Sequence, residues 1–310
     1  MRRERLDLEK AHPLPFPLAI WLEPTNVCNF KCSFCPESFP DYGKQAGYYQ
    51  HMKFTLWQKL ARDIAELGRP KVIRFFHEGE PLLNRQLSCM IEEANQLTDR
   101  TEVFTNGSLL IDRAPGLVSA RLSYLKISVY GVTGEDYWDF AQAHCTPGTV
   151  IEGVKQLRSL RRDDGLPFIH VKLMLPNSTP GIKGRQERFR EQYQGLADQI
   201  DVMDDAHNWG SSLVQIGQAP SVRTVCPMPF YTMAIKANGL VTVCCADWKN
   251  ELAVGDAAVR SLKEIWEGLP LKKIQALHWQ GRRKELTPCR DCTAFADYPD
   301  NLDRHLSTNG

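Results

Sequence analysis

Short, wholly apolar runs alternate along most of the chain with longer stretches in which apolar residues recur every three or four positions. The first pattern marks strands buried on both faces, the second amphipathic helices. Residues 18–22 (LAIWL) open the series as a strand, and 54–67 (FTLWQKLARDIAEL) follow as a helix. The pattern then predicts a strand at 72–77, a helix over 83–97, and strands at 101–105 and 125–130. A helix is expected over 150–160, with Thr146 and Pro147 as cap and first position. Residues 170–175 (HVKLML) form a fifth strand, and 200–203 start a sixth. This alternation implies right-handed βαβ units and a parallel sheet. About six units before residue 210 are too few for a closed eight-fold barrel. The fold expected is therefore α/β, an open, partial (β/α)6 barrel.

The pattern changes after residue 210. Residues 210–225 read as a connecting loop, and 230–235 and 240–244 flank Asn238-Gly239, a hairpin signal. Residues 261–266 and 271–277 look helical, Pro288 precedes a final cysteine pair, and 293–310 look polar and loosely ordered. The expected division is a leading segment 1–17, a barrel 18–212 and a small C-terminal domain 213–310.

Composition narrows the class. The 310 residues are 43% apolar and 24% charged, as in ordinary globular proteins. Lys plus Arg total 38 against 37 acids, which argues against a nucleic-acid partner. No run of about 18 apolar residues exists, so no membrane partner is expected. The start, MRRERLDLEK, has no apolar signal core, so a cytoplasmic location is expected. The ten cysteines change the picture most: 28, 32, 35, 89, 145, 226, 244, 245, 289 and 292. A chain this long needs no disulfide staples, and thiols three or four residues apart pair poorly. Metal-bound thiolates in a reducing compartment are the natural reading.

Cys28, Cys32 and Cys35 have the spacing C-x3-C-x2-C directly after the first strand. Three thiolates on one loop can hold three irons of a cubane and leave the fourth open to a chelating molecule. A zinc site or three core thiols are the alternatives, but zinc prefers four ligands in paired knuckles. With Phe34 as the aromatic in C-x3-C-x-aromatic-C, the motif resembles the signature of the radical S-adenosylmethionine superfamily. The resemblance implies a 4Fe–4S cluster whose open iron binds S-adenosylmethionine, an external one-electron reductant such as flavodoxin or ferredoxin, and a deoxyadenosyl radical that abstracts substrate hydrogen. His77-Glu78-Gly79-Glu80-Pro81 resembles that family's Gly-Gly-Glu-Pro motif, with Glu78 in place of the first glycine. It implies cofactor contacts at Glu78, Gly79, Glu80 and Pro81. Asn106 and Ser128, near strand ends, resemble positions that meet the ribose or methionine part, and Lys172 could meet the cofactor carboxylate.

Cys226 and Cys244 flank the hairpin, and Cys289 and Cys292 form C-x2-C. Four cysteines can close a second cluster, and zinc would accept the same four. The arrangement resembles the SPASM/Twitch extension of that superfamily. Residues 293–302 lack the further cysteines of a full SPASM domain, so the resemblance implies one auxiliary 4Fe–4S cluster, as in Twitch-type cyclitol dehydrogenases. That makes two clusters in all. Cys245, pointing away from Cys244 by strand alternation, and Cys145, in the loop after strand four, are candidate hydrogen donors. Cys89 is expected in the core.

Asp204, Asp205, His207, Asn208 and Trp209 are candidates to line a substrate pocket, as are Tyr130 and His77. The function expected is oxidation or epimerisation of a polyhydroxylated small molecule: a sugar, aminoglycoside or cyclitol. The alternative is a peptide-modifying enzyme, disfavoured because only about 17 residues precede strand one. A plain iron–sulfur electron carrier is argued against by Glu80, Asn106 and Ser128.

Overall fold

A computed structural model describes residues 6–203, 223–295 and 298–306. Helix α1 (Leu8–Ala11) is a single turn capped by the Asp7 carboxylate. Strand β1 (Ala19–Leu22) is buried along its whole length, as its unbroken apolar run requires. The cysteine loop follows, then α2 (Tyr42–Ala46) and α3 (Phe54–Leu67). Trp57, Leu60 and Ile64 form the buried stripe of α3. Next come β2 (Val72–Phe75), α4 (Leu87–Ala94), β3 (Thr101–Thr105), α5 (Leu110–Ser119) and β4 (Tyr124–Val129). Helix α6 (Gly134–Ala141) starts on a Thr133/Asp136 capping box. Helix α7 (Pro147–Leu160) starts where Thr146 accepts from the Thr149 N–H and Pro147 takes the first position. Then β5 (Phe168–Leu173), α8 (Ile182–Tyr193) and β6 (Gln199–Val202) complete the first part. The C-terminal part holds α9 (Met228–Tyr231), β7 (Thr232–Ile235), β8 (Leu240–Thr242), β9 (Ala253–Asp256), α10 (Leu262–Trp266) and α11 (Leu269–Trp279).

Among the described residues, nine strands join one open sheet in the order β6-β5-β4-β3-β2-β1-β7-β8-β9. The first six are parallel to their neighbours, as the partial barrel required. Strand β7 runs parallel to β1, with Ala19 opposite Thr232, and β8 and β9 add antiparallel. Gly239 closes the β7–β8 turn at φ 97°, a conformation that costs any other residue. Alternation divides the sheet into two faces. Ile20, Leu22, Ile73, Phe75, Leu125, Ile127 and Val129 belong to the main helix-covered core. Trp21, Arg74, Glu102, Lys126 and Ser128 alternate with them and face the concave side.

Several expectations need correction. Helices α5, α6 and α8 were not foreseen: α5 contains Pro115, and α8 buries only Phe189 and Tyr193. Strand β9 was also missed. Cys89 is exposed, because the buried stripe of α4 runs through Leu87, Met90, Ile91 and Ala94 and passes it by. The described part of the C-terminal segment is docked, not loose. Leu302 is fully buried with Leu8, Val225 and Phe230, and the Asp303 carboxylate accepts from the Thr224 and Val225 N–H groups. Short apolar anchors in a polar segment leave no periodic signal.

Candidate active site

The cysteine loop leaves β1 and is held from three sides. The Lys31 and Ser33 N–H groups donate to the Ala141 and Phe140 carbonyls at the end of α6. The Glu80 N–H donates to the Val27 carbonyl, and Asn106 Nδ2 donates to Asn29 Oδ1 at 2.9 Å. Phe34 stacks on Tyr130 with centroids 6.2 Å apart, and the Tyr130 hydroxyl hydrogen-bonds the Cys32 thiol. Burial pushes all three thiols up, Cys32 to about 12, and each feels at least one other of the three. No cysteine among the described residues is in a disulfide. Thiols gathered this way, away from water and unpaired, are the donor set of a metal cluster, whose charge would stabilise the thiolates that burial disfavours.

Glu80 sits beside this loop with both oxygens engaged. Oε1 accepts from Thr105 Oγ1 at 2.6 Å and from the Leu82 N–H at 3.0 Å, and Oε2 accepts from the Asn106 N–H at 2.7 Å. Burial, the largest influence, raises its carboxyl to about 7 despite these donors. A carboxylate so placed is ready for an ammonium partner. Pro81 opens the short turn that Glu80 caps. Gly79 lies against the chain: a Cβ there would come 2.3 Å from the Thr25 oxygen and 2.8 Å from Asn26 Cα. We expect Gly79→Ala to cost about 1–3 kcal/mol in denaturant unfolding. An unchanged midpoint would show that the loop yields.

Glu78, the departure from the motif, enters a network that the sequence did not reveal. Lys236 at the end of β7 is completely buried, and its Nζ donates to Glu78 Oε1 at 3.1 Å and Oε2 at 3.0 Å. It also donates to His77 Nδ1 at 3.1 Å, with Glu23 Oε2 at 4.0 Å. Glu23 accepts from the Tyr48 hydroxyl at 2.6 Å and the Ala237 N–H at 3.0 Å. His77, pushed down to about 3 chiefly by burial, is neutral. Its side chain is sealed from solvent, and Tyr130 packs under the cysteine loop against Phe30 and Phe34. Neither is open to a substrate as expected. The available signal was a lysine closing a buried strand, TMAIK, with acids at the ends of β1 and β2.

The C-terminal cysteines also converge. Burial raises the Cys226 thiol, and Cys244, Cys289 and Cys292 all add to that rise. Cys289 is pushed up to about 12 by burial first and Cys244 second. Cys244 is held below its ordinary value by a hydrogen bond with Cys245. That bond corrects the alternation argument: β8 ends at Thr242, so the two thiols are not forced apart. Cys245 packs with Cys226, Trp21 and Phe76. Cys145 lies just before α7, buried, with its Sγ donating to the Thr146 carbonyl at 3.6 Å. Ser128 and Lys172 are register partners on β4 and β5. Residues 204–209 fall outside the described residues. Among those described, no helix is long and apolar enough to cross a membrane.

An open parallel sheet with a triple-cysteine loop after β1 defines a class, and comparison with known proteins identifies it. The chain belongs to the radical SAM superfamily, whose model matches residues 22–179. A SPASM iron–sulfur cluster-binding domain matches residues 226–293. Together these imply S-adenosylmethionine and 4Fe–4S clusters as cofactors. Over 276 residues the chain is 21% identical to an S-adenosyl-L-methionine-dependent 2-deoxy-scyllo-inosamine dehydrogenase from Niallia circulans, covering 88% of this chain and 91% of that one. It is 31% identical over 155 residues to a probable GTP 3′,8-cyclase from Methanopyrus kandleri, half of this chain but only 47% of the cyclase. Among solved structures, BtrN in complex with AdoMet and 2-DOIA matches at TM-score 0.59 and 17% identity, covering 90% and 93% of the two chains. Streptococcus suis SuiB bound to S-adenosylmethionine matches at TM-score 0.63 and 14% identity, covering 85% of this chain and 68% of that one.

Proposed function

We propose that this enzyme oxidises or epimerises a polyhydroxylated small molecule. The observation that carries the reading is the single group of four converging C-terminal thiols, with no cysteine in residues 293–302 for a further cluster. The end-to-end similarity to a cyclitol dehydrogenase supports it. In this reading Cys28, Cys32 and Cys35 hold the cluster that binds S-adenosylmethionine, and Cys226, Cys244, Cys289 and Cys292 hold the auxiliary cluster. The chemistry supplied when these groups are bound is reductive cleavage of S-adenosylmethionine and removal of a carbon-bound hydrogen. Glu80 receives the methionine ammonium, Lys172 beside Ser128 meets the methionine carboxylate, Gly79 lets the chain pass close, and Phe34, Glu78, Pro81, Asn106 and Ser128 shape the rest of the cofactor site. The barrel domain spans 18–212 and the auxiliary domain 213–310, and a cytoplasmic flavodoxin or ferredoxin delivers the electron.

Cys245 decides between the two reactions. Its thiol hydrogen-bonds a proposed cluster ligand and packs beside Trp21 and Phe76 of the concave face. If it returns hydrogen to a substrate radical, Cys245→Ala should lose the epimer while still forming 5′-deoxyadenosine. A normal ketone yield from that variant would sink the donor role and leave oxidation. Cys145, buried away from that face, is the weaker donor. Anaerobic reconstitution should load about eight irons per chain, and about four when the C-terminal four cysteines are alanine. A second reading, peptide modification, draws support from 30% identity over 125 residues to a PqqA peptide cyclase. Deoxyadenosine formed with a peptide and with no sugar or cyclitol would favour it.

A further inference from the structure

A buried arginine that pairs with no acid lies beside the C-terminal cysteine pair. Arg283 opens the short turn Arg283–Glu285 after α11 and is almost fully buried, although its neighbours Arg282 and Lys284 face solvent. Glu285, the acid of that turn, is taken by Arg282, whose Nε and Nη2 donate to its two oxygens at 2.7 and 2.9 Å. Arg283 turns inward instead. Its Nη1 donates to the Cys289 carbonyl, and its guanidinium lies over the Phe295 ring, 4.5 Å from the centre. It thus ties together both sides of the C-x2-C knuckle: the carbonyl of the first cysteine and a ring three residues beyond the second. Neither contact neutralises a unit charge. Among the described residues no carboxylate forms an ion pair with Arg283.

A guanidinium cannot shed its proton, so its burial is costly unless a negative group stands near. The groups in reach are the cysteines. Burial is the largest influence on Cys289, followed by the charges of Cys244 and Cys292; Arg283 opposes all three and outweighs the acid that acts there, Asp247. Asp247 keeps its two oxygens on the Glu251 and Leu252 N–H groups, at 2.9 and 2.8 Å. The other basic groups around these thiols are engaged or uncharged. The Lys236 ammonium is held by Glu78. His278 Nδ1 accepts from the Cys226 N–H at 3.2 Å, so that nitrogen carries no proton and the ring is neutral. Among the described residues, Arg283 is the buried cation left to the cysteines.

We propose that Arg283 is the counter-cation of the auxiliary cluster and holds its reduction potential up. The proposal rests on the reading that Cys226, Cys244, Cys289 and Cys292 hold that cluster. Four thiolates leave an iron–sulfur centre with net negative charge, and each added electron makes it more negative. A fixed positive charge in a site closed to water favours the more negative form, and charge and solvent exposure are settings by which a protein tunes such a centre. Arg283 therefore makes the auxiliary cluster the better electron acceptor. Oxidation has a use for that. An alcohol that has given one hydrogen to the deoxyadenosyl radical and its hydroxyl proton to water must still lose one electron to become a ketone. Epimerisation, in which hydrogen is returned, needs no acceptor. Arg283 in this way favours the oxidising reaction.

Anaerobic redox titration of the reconstituted holoenzyme, followed by electron paramagnetic resonance, measures the potential without turnover. The auxiliary signal is the one that added S-adenosylmethionine leaves unchanged. Arg283→Met should weaken electron binding at that centre about tenfold or more, a fall of about 59 mV for one electron. About eight irons should stay bound, and the other signal should not move. Arg283→Lys keeps the charge and should lie closer to wild type than to Arg283→Met. Arg282→Met, which removes the exposed and paired neighbour, should leave the potential unmoved. An unmoved potential in Arg283→Met with its iron intact, or an equal shift in Arg282→Met, overturns the proposal. If Arg283→Met fails to hold the auxiliary iron, Arg283→Lys decides: an unmoved potential supports the role of the charge, and a weakening of about tenfold overturns it. Wild type that binds only about four irons and gives one signal would defeat the auxiliary-cluster reading itself, and the proposal with it.

Discussion

Changing Cys28, Cys32 and Cys35 together to alanine is expected to reduce 5′-deoxyadenosine formation to background and remove about four irons per chain. The three thiols lie on one loop and feel one another, so they act as a unit. The remaining thiols around Cys226 belong to separate segments at the other side of β1. The loss should therefore be confined to one site, with the second half of the iron and its absorbance retained. The reciprocal variant, with Cys226, Cys244, Cys289 and Cys292 as alanine, should keep reductive cleavage of S-adenosylmethionine when dithionite supplies the electron. It should lose oxidised product. A triple variant that still cleaved S-adenosylmethionine would remove the first assignment. A reciprocal variant with normal ketone yield would remove the auxiliary cluster from the reaction. Metal analysis, product chromatography and visible spectra on the same samples separate these outcomes from general misfolding.

How far the sequence predicted this architecture depended on whether a feature was local. Helix α3 and strand β3 fall where their apolar periodicity puts them, because burial on one face repeats within a few residues. The triple-cysteine motif was equally legible, since Cys28, Cys32 and Cys35 lie within one short loop. Helix α5 was hidden by Pro115 and Gly116, and α8 by a charged surface of which only Phe189 and Tyr193 are covered. Cys245 was misjudged because alternation holds only while a strand continues, and β8 stops three residues earlier. The sealed network of Glu23, Tyr48, His77, Glu78 and Lys236 was invisible because its members come from four segments spanning 214 positions. Nothing within any one segment records that its polar group meets the others. The clues were a lysine closing the buried run TMAIK and Glu78, a large acid where a glycine is usual.

That network makes the second large prediction: Lys236→Met should destabilise the holoenzyme by about 3–5 kcal/mol, the cost of leaving buried charge without its partner. Lys236 is completely buried and gives the Glu78 carboxylate its only cation within 4.0 Å among the described residues. Methionine fills a similar volume, so the loss is of charge and hydrogen bonds more than of packing. The double variant Glu78→Gln, Lys236→Met removes both charges and should recover more than half of the loss, a coupling that a simple cavity would not produce. The pH dependence gives a second reading. Burial, followed by the charge of Glu78, raises the Glu23 carboxyl from 4.5 to about 7. The folded protein thus holds a proton that the unfolded chain releases, so the Glu23 contribution to stability is full below 4.5 and is lost as pH rises through about 7. Lys236 opposes that rise. Its loss should extend the fall to higher pH, and Glu23→Gln should flatten it. Anaerobic urea unfolding of wild type and variants at several pH values measures both effects. A Lys236→Met midpoint within about 1 kcal/mol of wild type, with the same pH slope, would mean that Lys236 does not offset the burial of Glu23.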